Sequence, residues 1–139
     1  MSTANALVLV AHGSRLADSN REVEVITERL ARSLGTAYTH TVCAFLELAE
    51  PSIPESIDRV IELGARRVTV LPYFLVAGRH VSRDIPEIVD AKRVQHPEVC
   101  IDLAGYLGMH TRIVELLREV ALPEFGEQSG PVRAGTSDA

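Results

Sequence analysis

Apolar and polar positions along the chain follow two patterns, and each pattern occurs four times. Short runs rich in β-branched and aliphatic residues occupy positions 7–11, 38–46, 67–71 and 99–104, and such runs are typical of strands buried within a sheet. In the segments that follow, apolar residues recur every three or four positions, which is the spacing of a helix with one buried face. This order predicts an α/β fold with a parallel sheet, right-handed crossovers and helices on both faces.

Three of the predicted helices begin with the same local signal. A Ser or Asp followed three residues later by Glu is the capping-box pattern, in which both side chains accept hydrogen bonds from free backbone N–H groups. The pairs are Ser19 with Glu22, Ser52 with Glu55, and Asp84 with Glu87. The fourth helix is predicted to be capped by His110 or Thr111 and to stop at Pro123, because proline cannot continue a helix.

The strand order that we expect is the flavodoxin-like 2-1-3-4, in one four-stranded domain over residues 1–122. In that order the crossover reverses between strands 1 and 3, and ligands bind beside the carboxyl ends of the strands at such a reversal. Residues 123–139 contain mainly Glu, Gly, Ser, Pro and Ala. We expect a disordered C-terminal tail there, since so few apolar residues cannot offset the entropy of ordering.

Composition and charge exclude several classes of protein. The 139 residues carry a formal net charge of −5, which argues against a general nucleic-acid binder. No apolar run approaches the roughly 18 residues that span a bilayer, and the N-terminus lacks the basic segment of a signal peptide. We therefore expect a cytoplasmic protein that binds neither nucleic acid nor membrane. Cys43 and Cys100 lie singly in strand-like stretches, and we expect both to be buried core residues.

Two histidines follow two of the predicted strands. His12 comes directly after the first strand and precedes Gly13, which permits a tight turn or a close approach to a ligand. His80 lies in the loop after the third strand. The predicted order places these two loops side by side, so the imidazoles should converge on a metal site or a proton-handling site. Taken singly, His12 could be a structural histidine and His80 an exposed loop residue.

One acidic residue belongs to the same sheet edge. Glu47 lies just past the second strand, where its carboxylate could ligate a metal or accept a proton. Arginines also crowd the histidine loops of this acidic chain, and a local positive charge suggests an anionic ligand such as a carboxylate or a phosphate. The candidate ligand contacts are Arg15, Arg79, Arg83 and Ser14. The alternative is that the arginines only add solubilising charge.

Four segments together resemble a known family. They read Leu-Val-Ala-His-Gly-Ser-Arg up to Arg15, Phe-Leu-Glu-Leu-Ala-Glu-Pro-Ser-Ile-Pro-Glu from Phe45, Leu-Pro-Tyr-Phe-Leu from Leu71, and Gly-Arg-His-Val-Ser-Arg-Asp-Ile-Pro from Gly78. In this order they resemble the small CbiX/SirB-type sirohydrochlorin chelatases, which are class II chelatases, over residues 6–121. The resemblance implies a chelatase-like fold, a homodimer, and a lyase that inserts a divalent metal into sirohydrochlorin without an organic cofactor.

The resemblance also implies roles for residues. The metal-binding histidines of the family correspond to His12 and His80, and its acidic residue corresponds to Glu47. The metal would be Co²⁺ for cobalamin or Fe²⁺ for sirohaem, and related archaeal enzymes insert Ni²⁺. We expect His12 to act as ligand and base, His80 as second ligand or base, and Glu47 as a proton acceptor, while the arginines hold the carboxylates of the tetrapyrrole.

Two other functions remain open at the level of sequence. The chain could carry a metal or a tetrapyrrole without turnover. It could also be a phosphoryl-transfer enzyme with His12 as nucleophile and Arg15 as phosphate clamp. The glycine-rich motifs of dinucleotide-binding and P-loop proteins are absent from the sequence, so neither of those classes is supported.

Overall fold

A parallel sheet forms the centre of the fold, in a computed structural model that describes residues 4–122. Within that range the sheet has four strands in the order β2-β1-β3-β4, and neighbouring strands pair in parallel. The strands are β1 (Ala4–Ala11), β2 (His40–Phe45), β3 (Ala65–Pro72) and β4 (Cys100–Leu103). The predicted fold class and strand order are confirmed. Residues 123–139, for which we predict a tail, lie outside the described residues.

Four α-helices follow the strands within the same described range. They are α1 (Ala17–Leu34), α2 (Ile53–Glu62), α3 (Ile85–Gln95) and α4 (Ile113–Ala121). The chain divides into two compact units, one that runs to Gly108 and one that begins at Met109. The sheet and α1 to α3 belong to the first unit, and α4 belongs to the second. No helix in the described part of the chain is both long enough and apolar enough to cross a membrane.

The two faces of the sheet are covered by different helices. Val8 is fully buried in a core that also contains Ile57 of α2 and Ile85 of α3. Leu9 points to the opposite face, because side chains alternate along a strand, and there it lines an apolar groove of about 210 Å³ together with Ile26 of α1. Helices therefore lie on both faces, as predicted, and β1 is buried from Ala6 to Ala11.

One of the three predicted capping boxes is present. At the start of α2 the backbone N–H of Glu55 donates to Ser52 Oγ (3.2 Å), and the backbone N–H of Ser52 donates to Glu55 Oε1 (3.0 Å). The prediction at Ser19 is wrong, because α1 already begins at Ala17 and Ser19 lies within its first turn, where its backbone N–H bonds to the carbonyl of Leu16.

The prediction that Asp84 caps α3 is also wrong. A π-helical turn over His80–Asp84 leads directly into α3, and the backbone N–H of Ile85 donates to the carbonyl of His80. Because the preceding turn already supplies an acceptor, the Asp84 side chain makes no capping hydrogen bond. The expectation that both cysteines are buried is wrong as well. Cys43 in β2 is half-buried, and Cys100 opens the edge strand β4 and is exposed, with Sγ 3.6 Å from Asp102 Oδ1.

Candidate metal centre

Three loops meet at the carboxyl edge of the sheet. His12 comes directly after β1, Glu47 lies two residues after β2, and His80 begins the π-helical turn after β3. Because β1 lies between β2 and β3, the sheet places all three loops side by side. One ligand atom from each of these residues lies within 4.8 Å of the other two, and the two imidazole centroids are 5.0 Å apart.

The backbone joins the first two of these loops firmly. The β1–β2 pairing continues past the strands, since Leu46 N donates to Ala11 O (2.9 Å) and Glu47 N donates to His12 O (3.0 Å). Gly13 then turns away with φ of 97°. A Cβ at Gly13 would collide with the carbonyl oxygen of Glu47. The absence of a side chain at this position is therefore a condition for holding His12 beside Glu47.

The hydrogen bonds of His12 define which ring nitrogen can bind a ligand. Nδ1 lies 2.9 Å from the carbonyl oxygen of Gly13, and a carbonyl only accepts hydrogen bonds, so Nδ1 carries the proton. Nε2 lies 3.0 Å from Glu47 Oε2. When the His12 ring is neutral, Nε2 and Glu47 Oε2 both present lone pairs to each other. Two lone pairs at this distance repel unless a proton or a cation lies between them.

That spacing suits a metal ion. Two ligands at right angles around a metal with bonds of about 2.1 Å are about 3 Å apart, which matches the distance from His12 Nε2 to Glu47 Oε2. Both side chains are about half exposed, at 43% and 51%. An ion could therefore reach them from solvent and keep some of its water.

His80 is held by a different kind of partner. Its Nδ1 lies 2.8 Å from Asp84 Oδ2, four residues later on the π-helical turn. Sequence reasoning missed this contact because it assigned Asp84 to a helix cap. The signal was present in the spacing, since residues four apart share one face of a helix.

Some of the side chains predicted to contact the ligand already form hydrogen bonds within the chain, and others do not. Arg15 and Arg79 are exposed, and neither forms an ion pair or a side-chain hydrogen bond within residues 4–122. Arg83 Nε donates to Glu87 Oε2 at 3.3 Å. Ser14 Oγ accepts a hydrogen bond from the backbone N–H of Leu16 (3.0 Å). The loops of His12 and His80 therefore carry two guanidiniums without a partner among residues 4–122, whereas Arg83 and Ser14 already have partners there.

Asn20 is a supporting residue that sequence reasoning did not find. Its Oδ1 accepts from Ser14 N (3.0 Å), and its Nδ2 donates to Ser14 O (2.8 Å). The backbone N–H and the backbone C=O of Ser14 are thus both satisfied by one amide side chain in the first turns of α1. This pair ties the loop after His12 to the helix, and a lone Asn in a helical segment gave no sequence signal of it.

The loops that carry the polar centre also expose apolar side chains. The loops after β1, β2 and β3 each expose at least one large aliphatic residue. These residues are Leu16, Leu48, Leu75 and Val76. Leu48 also has a positive φ of 67°, which is strained for a residue with a side chain. A ligand that met the centre at this edge would encounter an apolar rim as well as charge.

Two imidazoles and a carboxylate therefore meet at the carboxyl edge of an α/β protein with a 2-1-3-4 parallel sheet. The family model of CbiX matches residues 6–122, so the chain belongs to the CbiX family. The resemblance seen in the sequence is confirmed.

Known proteins resemble this chain in sequence and in structure. A protein of Methanococcus maripaludis named sirohydrochlorin cobaltochelatase is 45% identical over 85 residues, which cover 60% of this chain and 57% of the relative. The crystal structure of a CbiX protein from Marinobacter aquaeolei superposes with a TM-score of 0.71 at 32% identity, over 88% of this chain and 98% of that one. The sirohydrochlorin chelatase SirB of Bacillus subtilis, in complex with cobalt, superposes with a TM-score of 0.73 at 25% identity. The match covers 85% of this chain and 50% of SirB.

The curated relatives are longer than the matched region. The chain spans 37%, 57% and 42% of the length of three relatives, which are named sirohydrochlorin cobaltochelatase or sirohydrochlorin ferrochelatase.

Proposed function

We propose that the chain is a sirohydrochlorin chelatase that inserts Co²⁺ or Fe²⁺ into the tetrapyrrole. The observation that carries the proposal is the cluster of His12, Glu47 and His80, whose ligand atoms lie within 4.8 Å of one another. The names of the relatives support the choice of substrate, and the cobalt-bound SirB structure supports metal binding by this fold.

The first step is capture of the hydrated metal ion. His12 Nε2 and Glu47 Oε2 replace two waters as neighbouring ligands, and His80 Nε2 is the third protein ligand. Three protein ligands leave coordination positions open for water and then for pyrrole nitrogens. Histidine and carboxylate ligands accept Co²⁺, Fe²⁺ and Ni²⁺ alike, so availability decides much of the selection among these ions.

Insertion then exchanges one dication for two pyrrolic protons. As the metal moves into the macrocycle, the protein ligands are released. His12 Nε2 and Glu47 Oε2 can each accept one of the departing protons, which converts them to an imidazolium and a carboxylic acid. The charge at the site is therefore the same before and after transfer, and solvent removes the protons from these half-exposed groups.

The arginines give the macrocycle its orientation. Arg15 and Arg79 pair with the carboxylates of the ring, because the planar guanidinium matches a carboxylate. Arg83 can join them by releasing Glu87, and Ser14 can contribute its hydroxyl. The apolar rim contacts the face of the ring. A second copy of the chain in a homodimer would supply the same groups to the opposite side.

The relation of His12 to Glu47 disfavours phosphoryl transfer. Glu47 Oε2 lies 3.0 Å from His12 Nε2, so a phosphate that approached Nε2 would come next to a carboxylate, and neighbouring anions repel each other. A passive carrier of a metal or a tetrapyrrole would use the same ligands as a chelatase. Only a measurement of turnover distinguishes these two functions.

The test is an insertion assay with the chain far below the concentration of sirohydrochlorin, and with Co²⁺, Fe²⁺ and Ni²⁺ in parallel. We expect several turnovers per chain above the uncatalysed rate with Co²⁺ or Fe²⁺, seen as a shift in the visible spectrum of the macrocycle. Binding of metal and tetrapyrrole without turnover would establish a carrier and refute the chelatase.

A further inference from the structure

Asp84 has only one polar side-chain partner among residues 4–122, and that partner is His80. The distance from Asp84 Oδ2 to His80 Nδ1 is 2.8 Å, and the side chains are 34% and 40% exposed. An ionised carboxylate only accepts hydrogen bonds, so Nδ1 of the neutral ring must donate. This leaves Nε2 of His80 with its lone pair free, as the nitrogen that can bind a metal.

The backbone does not require this carboxylate. Asp84 stands at the start of α3, where Asp commonly caps free N–H groups, yet it makes no capping hydrogen bond. The π-helical turn already provides acceptors for the first residues of α3, as the bond from Ile85 N to His80 O shows. Within the described part of the chain, the Asp84 side chain therefore has the imidazole of His80 as its one polar partner.

The two histidines of the centre differ in their outer partner. Nδ1 of His12 donates to the neutral carbonyl of Gly13, whereas Nδ1 of His80 donates to a carboxylate. A carboxylate behind an imidazole fixes the tautomer and the ring orientation, and it makes the opposite nitrogen a stronger donor to a metal. Loss of such partners typically weakens metal binding by about 10–100-fold.

We propose that Asp84 is a positioning residue that holds His80 in the tautomer with a free Nε2 and directs that nitrogen at the metal. The inference rests on the proposed function, because it assigns Asp84 a part in binding the metal substrate. It also has a consequence that does not involve metal: in the metal-free chain, the neutral His80 ring carries its proton on Nδ1.

The experiment compares Asp84→Asn and Asp84→Ala with wild type and with Asp90→Asn. Asp90 lies on the same helix and pairs with Arg93, so its variant controls for a change of charge on α3. Asn at position 84 keeps an acceptor oxygen and a similar shape, so this variant stays informative if the Ala variant fails to fold. Co²⁺ binding is measured by calorimetry and by the visible spectrum of the bound ion.

Nitrogen NMR of the metal-free chain at alkaline pH, where a free imidazole is neutral, reports the His80 tautomer directly. We expect the proton on Nδ1 in wild type and in Asp90→Asn. In Asp84→Ala we expect a shift towards the Nε2–H form, which free imidazole side chains prefer, and a Co²⁺ affinity about 10–100-fold lower. Asp84→Asn should fall between these cases.

Two results would overturn the inference. One is an Nε2–H tautomer of His80 in wild type, and the other is an Asp84→Ala chain with both the wild-type tautomer and the wild-type Co²⁺ affinity. If the wild-type chain binds no Co²⁺, the proposed function fails and the metal-binding part of the inference fails with it. The tautomer measurement then still decides whether Asp84 fixes the ring.

Discussion

Gly13 carries the tightest steric constraint at the metal centre. Its φ is 97°, and a Cβ added at this position would collide with the carbonyl oxygen of Glu47. Gly64 has a similar φ of 110° but open space around it, so Gly64→Ala measures strain without collision. We expect Gly64→Ala to cost about 1–2 kcal/mol of unfolding free energy. Gly13→Ala should cost more and should also weaken Co²⁺ binding, because Glu47 has to move.

Urea unfolding and Co²⁺ titration of both glycine variants check this expectation. Equal losses of stability, with wild-type Co²⁺ affinity in each variant, would contradict the view that Gly13 sets the position of Glu47.

The residues at this centre show what sequence could and could not give. His12, Glu47 and His80 were found because each follows a recognisable strand, and the strand order alone brings them to one edge. The role of Asp84 was missed because an Asp just before a predicted helix is equally compatible with a helix cap and with a contact to His80. Asn20 was missed because its partners, the backbone N–H and C=O of Ser14, lie in a loop whose path leaves no periodic pattern in the sequence.

At the level of elements, the start of a helix depends on how the chain enters it. Ser52 caps α2 because its own backbone is extended, with ψ of 167°, and the helix begins only at the next residue. Ser19 does not cap α1, since the helix has already begun at Ala17. Ser52→Ala should therefore lower the unfolding free energy by about 1 kcal/mol, whereas Ser19→Ala should change it by less than about 0.5 kcal/mol. Chemical denaturation of the two variants compares them, and a larger loss at Ser19 would refute the structural assignment.

Helices α2 and α3 are joined by a cluster of charged groups. Lys92 Nζ donates to both oxygens of Asp58 at 2.8 Å, and His96 Nε2 lies 3.0 Å from Asp58 Oδ1. Partial burial raises the pKa of Asp58, but the hydrogen bonds from Lys92 and His96 outweigh it, so the pKa lies below its usual value. Because the folded pKa is the lower one, the cluster contributes stability above the unfolded pKa of about 3.9 and loses it as pH falls through the folded pKa.

We predict that the difference in unfolding free energy between wild type and Asp58→Asn, called the gap below, depends on pH. Wild type should be the more stable at neutral pH, and the gap should shrink as pH falls below about 4. Asp90→Asn serves as control for an exposed acidic residue and should show a much smaller gap, since isolated surface ion pairs contribute about 0–1 kcal/mol. A gap for Asp58→Asn that stays constant from neutral pH to acid would contradict this account.

At the scale of the whole molecule, the topology was the most predictable feature. Apolar runs such as Leu7–Ala11 lack polar interruption because β1 lies in the middle of the sheet, and a strand with two buried faces leaves that signature. The ends of elements were less predictable, as were exposed edge positions such as Cys100, because they depend on neighbours in space rather than along the chain.

The assembly is a prediction at this same scale. The proposed tetrapyrrole substrate is broad, and the three arginines in the loops of His12 and His80 are too few to pair with its many carboxylates. We expect a homodimer related by a two-fold axis, the commonest closed assembly, with a mass of twice the 15.2 kDa chain. Light scattering under assay conditions measures that mass. A fully active species of 15.2 kDa would rule out a shared cavity.

The central claim is that His12, Glu47 and His80 act together in metal insertion. It is tested most directly by the rate of Co²⁺ insertion into sirohydrochlorin for His12→Ala, Glu47→Gln and His80→Ala, each shown to be folded. Glu50→Gln is the matched control, because Glu50 is an exposed acidic residue of the same loop as Glu47. The account predicts a loss of about 100-fold or more for each of the three and a wild-type rate for Glu50→Gln. Wild-type rates in folded His12→Ala and His80→Ala would contradict it.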